Sequence, residues 1–136
     1  MSRTRLVALD VDGTLMSYDG VISDDVRAAV TALVEQGVHV VLSTGRAAHS
    51  ATEVARDLGL TDGWVVCSNG AVTARLDPDE PAGWTVVHSV TFDPGPALRA
   101  IALELPDALY AVEDLGVGFL VSAPFPPGEL SGSTGS

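Results

Sequence analysis

Three short apolar runs of β-type residues, each closed by a polar, glycine-containing segment, place the tightest constraint on this chain. They are "RLVALDV" (5–11), running into Asp10-Val11-Asp12-Gly13-Thr14, "VHVVLS" (38–43), running into Ser43-Thr44-Gly45-Arg46, and "GWVVCS" (63–68), ending in Ser68-Asn69-Gly70. Continuous apolar runs of this length predict strands buried on both faces of a parallel sheet. Helical spacing fills the gaps between them. Ser23 reads as an N-cap, with Asp24 and Asp25 opposing the positive end of the helix dipole. Val26, Ala29, Val30, Leu33 and Val34 form one apolar stripe, and Gly37 is placed to end the helix. A second helix is predicted over about 47–58, with Ala51, Val54, Ala55 and Leu58 on its stripe and Gly59 as terminator.

The order is therefore β-α-β-α-β, which implies parallel pairing through right-handed crossovers. In such sheets, ligands bind beyond the carboxyl ends of the strands. All three polar loops belong at that one rim. Independent turns have no need of that agreement, and it points to a site.

The pattern changes after residue 76. "LDPDEPAG" is acidic, proline-rich and turn-forming. "WTVVHSVTF" alternates like a strand, Asp93-Pro94 opens a helix that Pro106 closes, and "ALYAVE" with "GVGFLVS" reads as a hairpin around Asp114-Leu115-Gly116. The expected fold class is α/β. Residues 1–76 would form a Rossmann-like three-layer α/β/α core with a parallel sheet, incomplete in this chain. Residues 77–83 would be a linker, 84–128 part of an α/β cap domain, and 129–136 a flexible tail.

Charge narrows the partners. A net charge of −11 over 136 residues opposes binding to nucleic acid or to an anionic membrane, but a small phosphorylated metabolite is compatible if a cation reverses the field locally. No run approaches the roughly 18 apolar residues of a membrane span, and the N-terminus lacks a signal-peptide cleavage pattern. With one cysteine, Cys67, no internal disulfide can form; a cytoplasmic location is expected. All seven basic side chains are arginines, and the chain has no lysine.

The acids at the first rim loop suggest chemistry. Asp10 could coordinate a hard cation such as Mg²⁺ and, ionised, attack phosphorus to give an aspartyl-phosphate. Asp12 could act as general acid and base if its pKa is raised. Gly13 permits a tight turn, Thr44 offers a hydroxyl, and Gly45 leads into a helix whose N-terminus attracts anions. Each element also has a plainer reading: D-x-D-G as an Asx-turn or calcium-type loop, S-T-G as a cap, Asn-Gly as a turn, Arg46 as a solvated side chain. Trp64 and Trp84 read as packing residues, His39 as structural, and Cys67 as a small core residue.

With those residues in place, "ALDVDGTL" resembles the D-x-D-G-T signature of the haloacid dehalogenase superfamily. "VVLSTGR" resembles its second motif, and "VCSNGA" is similar to the S-N-G-A segment of the Cof-like (type IIB) branch. The resemblance covers residues 5–75 strongly and 84–125 weakly. It implies a Mg²⁺-dependent phosphatase of small phosphomonoesters such as sugar phosphates. Asp10 would be nucleophile and metal ligand, and Asp12 acid/base with its backbone carbonyl on the metal. Thr44 would be a phosphoryl-oxygen donor, with Val11, Gly13, Thr14, Gly45, Arg46 and Asn69 bordering the substrate.

Two family motifs, a lysine and a G-D-x-x-N-D type loop, have no counterpart here. The chain is therefore expected to be the N-terminal part of a larger phosphatase, weakly active or inactive alone, with an open edge at its first strand. That edge suggests a homo-oligomer or pairing with a C-terminal half. The competing readings are a non-catalytic metal- or phosphate-binding module of the same fold and a receiver-type domain. The latter would carry its phosphoacceptor on a later strand.

Overall fold

The computed structural model describes residues 5–130 and the backbone of 134 and 135. The chain divides into two compact units, one ending at Ser89 and the other beginning at Val90. In the first, β1 (Leu6–Leu9), α1 (Asp24–Glu35), β2 (His39–Ser43), α2 (Ala48–Asp57) and β3 (Gly63–Cys67) follow the predicted order. β1–β2 and β2–β3 pair in parallel.

The helices form for the reasons their sequences suggest. The Ser23 hydroxyl accepts from the Val26 N–H at 3.3 Å, and Asp24 and Asp25 occupy the first turn of α1. Gly37, at φ +72°, ends it, and the Val38 N–H returns to the Leu33 carbonyl. The apolar stripe of α1 is narrower than predicted: Val30 is buried, whereas Ala29 and Val34 are exposed. The stripe of α2 is buried throughout, at Ala51, Val54, Ala55 and Leu58. α2 packs on β3.

After β3 the sheet changes character. A 3-10 turn at Ser68–Gly70 reverses the chain, and β4 (Val72–Leu76) returns antiparallel to β3. β4 had not been expected, although Val72, Ala74 and Leu76 are buried and alternate with Thr73 and Arg75. β5 (Trp84–Ser89) then pairs antiparallel with β4, giving a five-stranded mixed sheet in the order β1-β2-β3-β4-β5.

The predicted linker at 77–83 is the loop of this β4–β5 hairpin, and the unit boundary lies after Ser89. Asp77 stabilises the loop: its carboxylate accepts from the Asp79 N–H at 3.1 Å and from Arg75 at 2.7 Å. The turn chemistry was read correctly, but it serves a hairpin.

Successive parallel strands stepping one way through right-handed crossovers carry α1 and α2 on the same face of the sheet. The core lies between that face and α2, around Leu42, Val65, Cys67 and Ala74. The second helical layer of a complete three-layer core has no counterpart among the described residues of this unit. On the opposite face Trp64 is 48% exposed, so it is not the packing residue predicted. β1 is one of the two edge strands, and Leu6 is exposed on it.

The second unit contains α3 (Gly95–Glu104) and a hairpin of β6 (Ala111–Asp114) and β7 (Gly118–Val121). The hairpin turns through Gly116 at φ +78°, as predicted. The Asp93 carboxylate accepts from the Gly95 N–H at the start of α3, but the cap position falls on Pro94, one residue after the Asp93 predicted. The backbone of β8 (Thr134–Gly135) pairs parallel to β7. The rest of the predicted tail, at 131–133 and 136, lies outside the described residues.

Candidate active site

The first rim loop is built around a buried anchor. Val11 is completely buried, and its carbonyl accepts from the N–H groups of Thr14 (3.2 Å), Leu15 (3.0 Å) and Met16 (2.9 Å). The Gly13 N–H reaches back to the Met16 carbonyl at 2.7 Å. Gly13 adopts φ +76°, a left-handed conformation that favours glycine, and a Cβ there would meet only the tip of the exposed Tyr18 side chain. The loop leaves Asp10, Asp12, Gly13 and Thr14 exposed between the buried side chains of Val11 and Leu15. Val11 could meet a ligand only through its backbone.

The second and third loops are tied together. Thr44, only 5% exposed, donates its N–H to the Val66 carbonyl (2.9 Å) and accepts from the Asn69 N–H (3.1 Å) at its own carbonyl. The Ser68 N–H bonds the Arg46 carbonyl at 2.8 Å. Ser68 and Asn69 both take left-handed backbone conformations, at φ +49° and +53°. Asparagine accepts this region more readily than most residues. The Asn69 amide then lies against Gly45, where an added Cβ would be 3.1 Å from its Oδ1.

These loops enclose an open cleft of about 270 Å³ lined by Asp10, Ser43, Thr44, Gly45 and Asn69. The structure thus brings four predicted residues from three loops to one place. Ser43 is an additional wall. α2 begins at Ala48, three residues beyond Gly45, and Ala47 caps it without a side-chain bond. The helix terminus is therefore set back from where the sequence suggested.

Asp12 and Arg46 are not part of the cleft wall. They bind each other. Arg46 grips the Asp12 carboxylate at both oxygens, Nε to Oδ2 at 2.9 Å and Nη2 to Oδ1 at 2.7 Å. Nη1 donates to the Ser50 hydroxyl at 3.1 Å, and Nη2 also approaches the Met16 sulfur at 3.4 Å. This corrects two expectations. Arg46 is not a free surface side chain, and Asp12 does not carry a raised pKa. The hydrogen bonds from Arg46 hold its carboxyl below the ordinary carboxylate value, against a smaller opposing effect of burial. Arg46 is correspondingly raised, chiefly by its hydrogen bonds to Asp12. Ser50, in the first turn of α2, was missed; Arg46 precedes that helix, so helical spacing does not link the two.

The donor chemistry can be compared with what Mg²⁺ requires. Among the described residues, no group of three or more acidic, histidine or cysteine side chains is placed to hold a metal. Mg²⁺ is often held by one or two carboxylates together with water and substrate phosphate. Asp10, exposed in the cleft, fits one such position. Asp12, with both side-chain oxygens engaged by Arg46, fits only through its carbonyl.

No helix among the described residues is long and apolar enough to cross a membrane. Comparison with known proteins adds the family. Residues 7–101 match the family described as haloacid dehalogenase-like hydrolase. The chain is 39% identical over 67 residues to the 5-amino-6-(5-phospho-D-ribitylamino)uracil phosphatase YcsE of Bacillus subtilis, covering 49% of this chain and 26% of that protein. It is 37% identical over 68 residues to phosphatase YwpJ of the same organism, covering 50% and 24%.

Among solved structures, a haloacid dehalogenase-like hydrolase from Bacteroides thetaiotaomicron superposes with a TM-score of 0.72 at 22% identity, over 92% of this chain and 46% of that one. One from B. subtilis gives 0.68 at 29%, over 90% and 40%. The matches thus span less than half the length of these relatives. The incomplete α/β core, the rim cleft between its first three strands and the family match together show that this chain belongs to the haloacid dehalogenase-like hydrolases.

Proposed function

We propose that the cleft hydrolyses small phosphomonoesters, of the sugar-phosphate type, through an aspartyl-phosphate on Asp10. The observation that supports this reading is the cleft shared by Asp10 and Thr44, where a carboxylate and a hydroxyl line the same space. Thr44 Oγ1 already accepts from the Arg46 N–H at 3.2 Å, so its own proton is left to donate to a phosphoryl oxygen. The Asn69 amide, held against Gly45, supplies further donors.

Asp10 attacks phosphorus, the ester P–O bond breaks, and the leaving alkoxide takes a proton from Asp12, which can carry one only once Arg46 has left its carboxylate. Water then attacks the phosphorus, the bond to Asp10 breaks, and Asp12 takes up the water's proton. Asp10, with the carbonyl of Asp12, would hold Mg²⁺, which when bound offsets the negative charge gathered in the cleft. The buried Cys67 fits a reducing compartment such as the cytoplasm.

Mg²⁺-dependent phosphate release from a panel of sugar phosphates tests the reading. Asp10→Asn should abolish turnover, and Thr44→Val should lower it by about 10²-fold, as for loss of one preorganised donor. Turnover that survives Asp10→Asn would refute the mechanism. A second reading, a phosphate-binding module without turnover, is favoured by one observation: the carboxylate needed as acid and base is engaged at both oxygens by Arg46. Saturable phosphate binding with no turnover would select it.

The exposed edge of β1 also supports pairing, with a second copy or with segments of the kind that longer relatives carry beyond the match. Sedimentation of a stable monomer at micromolar concentration would count against self-pairing.

A further inference from the structure

The Asp12–Arg46 pair conflicts with the chemistry just assigned to Asp12. Both of its carboxylate oxygens already accept from one guanidinium, with which any other partner of Asp12 must compete. Resting on the phosphohydrolase reading, we infer that Arg46 is an exchangeable clamp. It closes on Asp12 when the cleft holds no anion, and a phosphoryl dianion entering the cleft draws the guanidinium off and uncovers the Asp12 carboxylate.

Three observations support the exchange. The backbone of Arg46 is fixed at the cleft, its N–H on Thr44 Oγ1 and its carbonyl accepting from the Ser68 N–H. The side chain therefore departs from an anchored point beside the ligand. The pair itself is open to water, with side-chain exposures of 26% for Arg46 and 45% for Asp12, and ion pairs of that exposure are weakly held. Finally, the three rim loops carry two acids, Asp10 and Asp12, against one basic residue, Arg46. While Arg46 neutralises Asp12, an arriving dianion meets Asp10 with no free cation on those loops. The planar guanidinium fork suits a phosphoryl group as well as it suits a carboxylate. Nη1, bonded to Ser50 and not to Asp12, provides a pivot that the exchange can leave in place.

The test is titration of the full chain with inorganic phosphate, followed by ¹H–¹⁵N NMR of backbone amides and arginine Nε–Hε groups. The Arg46 resonance is assigned from its loss in Arg46→Lys. Phosphate should move the Thr44, Gly45 and Asn69 amides together with Arg46 Nε–Hε. Arg46→Gln should weaken phosphate binding about tenfold, the scale of one charge-assisted hydrogen bond, and Arg46→Lys should recover part of it.

Asp12→Asn should tighten binding more than Asp10→Asn does. Asp10 lines the cleft, so its loss measures relief of repulsion alone, whereas loss of Asp12 also frees Arg46. In an Arg46→Gln background that excess should vanish. If the cleft amides shift while Arg46 Nε–Hε stays put and Asp12→Asn gains no excess, Arg46 is a fixed strut; the clamp is overturned and the hydrolase reading stands. If no variant shows phosphate shifts at the cleft amides, both fail. The backbone spectrum of each variant shows whether it has folded.

Discussion

α2 and α3 are both ten residues long, and the more apolar of the two buries less. α3, "GPALRAIALE", carries six alanine, leucine and isoleucine residues, yet none of its positions is buried; Leu103 is 83% exposed. α2, "AHSATEVARD", has only four apolar residues, all alanine or valine, and buries them together with Ser50 and Thr52. What differs is the surface available to each helix. α2 lies on β3 and β4, whose inward residues Val65, Cys67, Val72 and Ala74 form a complementary wall. Small side chains allow a close approach of helix to sheet. Thr52 accommodates its polarity locally, donating to the Ala48 carbonyl at 2.8 Å. Burial follows from the partner surface as much as from a helix's own composition.

Substitutions can break or sharpen this contrast. The largest effect is expected at Leu42, fully buried in β2 between Leu9 and Val65 in the pairing register. Leu42→Ala should cost about 2–5 kcal/mol, read by urea unfolding through the fluorescence of Trp64 and Trp84, both in the first unit. Ser23→Ala removes the α1 cap and should cost about 1 kcal/mol on the same readout.

Arg46→Gln should cost at most about 1 kcal/mol for a pair this exposed, and the cost should depend on pH. The folded state holds the Asp12 carboxyl low, so the pair contributes fully above the ordinary carboxylate value of about 3.9. Its contribution fades as pH falls through the lowered folded-state value. Wild-type and variant stabilities should therefore converge in acid. A difference that persists there would mean that Arg46 acts through packing.

The smallest effect is expected at Leu103. Leu103→Ala should leave the fluorescence transition unmoved and change the midpoint by circular dichroism by no more than about 0.5 kcal/mol equivalent. A large loss there would show that α3 buries its apolar face against something.

The same contrast explains what the sequence disclosed. Strands β1 to β3 and helices α1 and α2 were readable because local periodicity and capping agreed with the tertiary packing. Gly13, Thr44, Gly45 and Asn69 were readable as rim residues because strand ends fix where loops lie. β4 was overlooked because "AVTARL" is short and interrupted by Thr73 and Arg75, and 77–83 was misplaced because turn residues do not say whether the strands beside them pair. The Asp12–Arg46 clamp joins residues 34 positions apart, beyond any local pattern.

The strand that delivers Asp10 is also an edge strand of the sheet. Any backbone that docks alongside it in register would run about 4.8 Å from the main chain leading into Asp10. An open sheet edge and the cleft lined by Asp10 are thus neighbours in this molecule, so a segment that completed the hydrogen-bond ladder of β1 would come to lie beside that cleft.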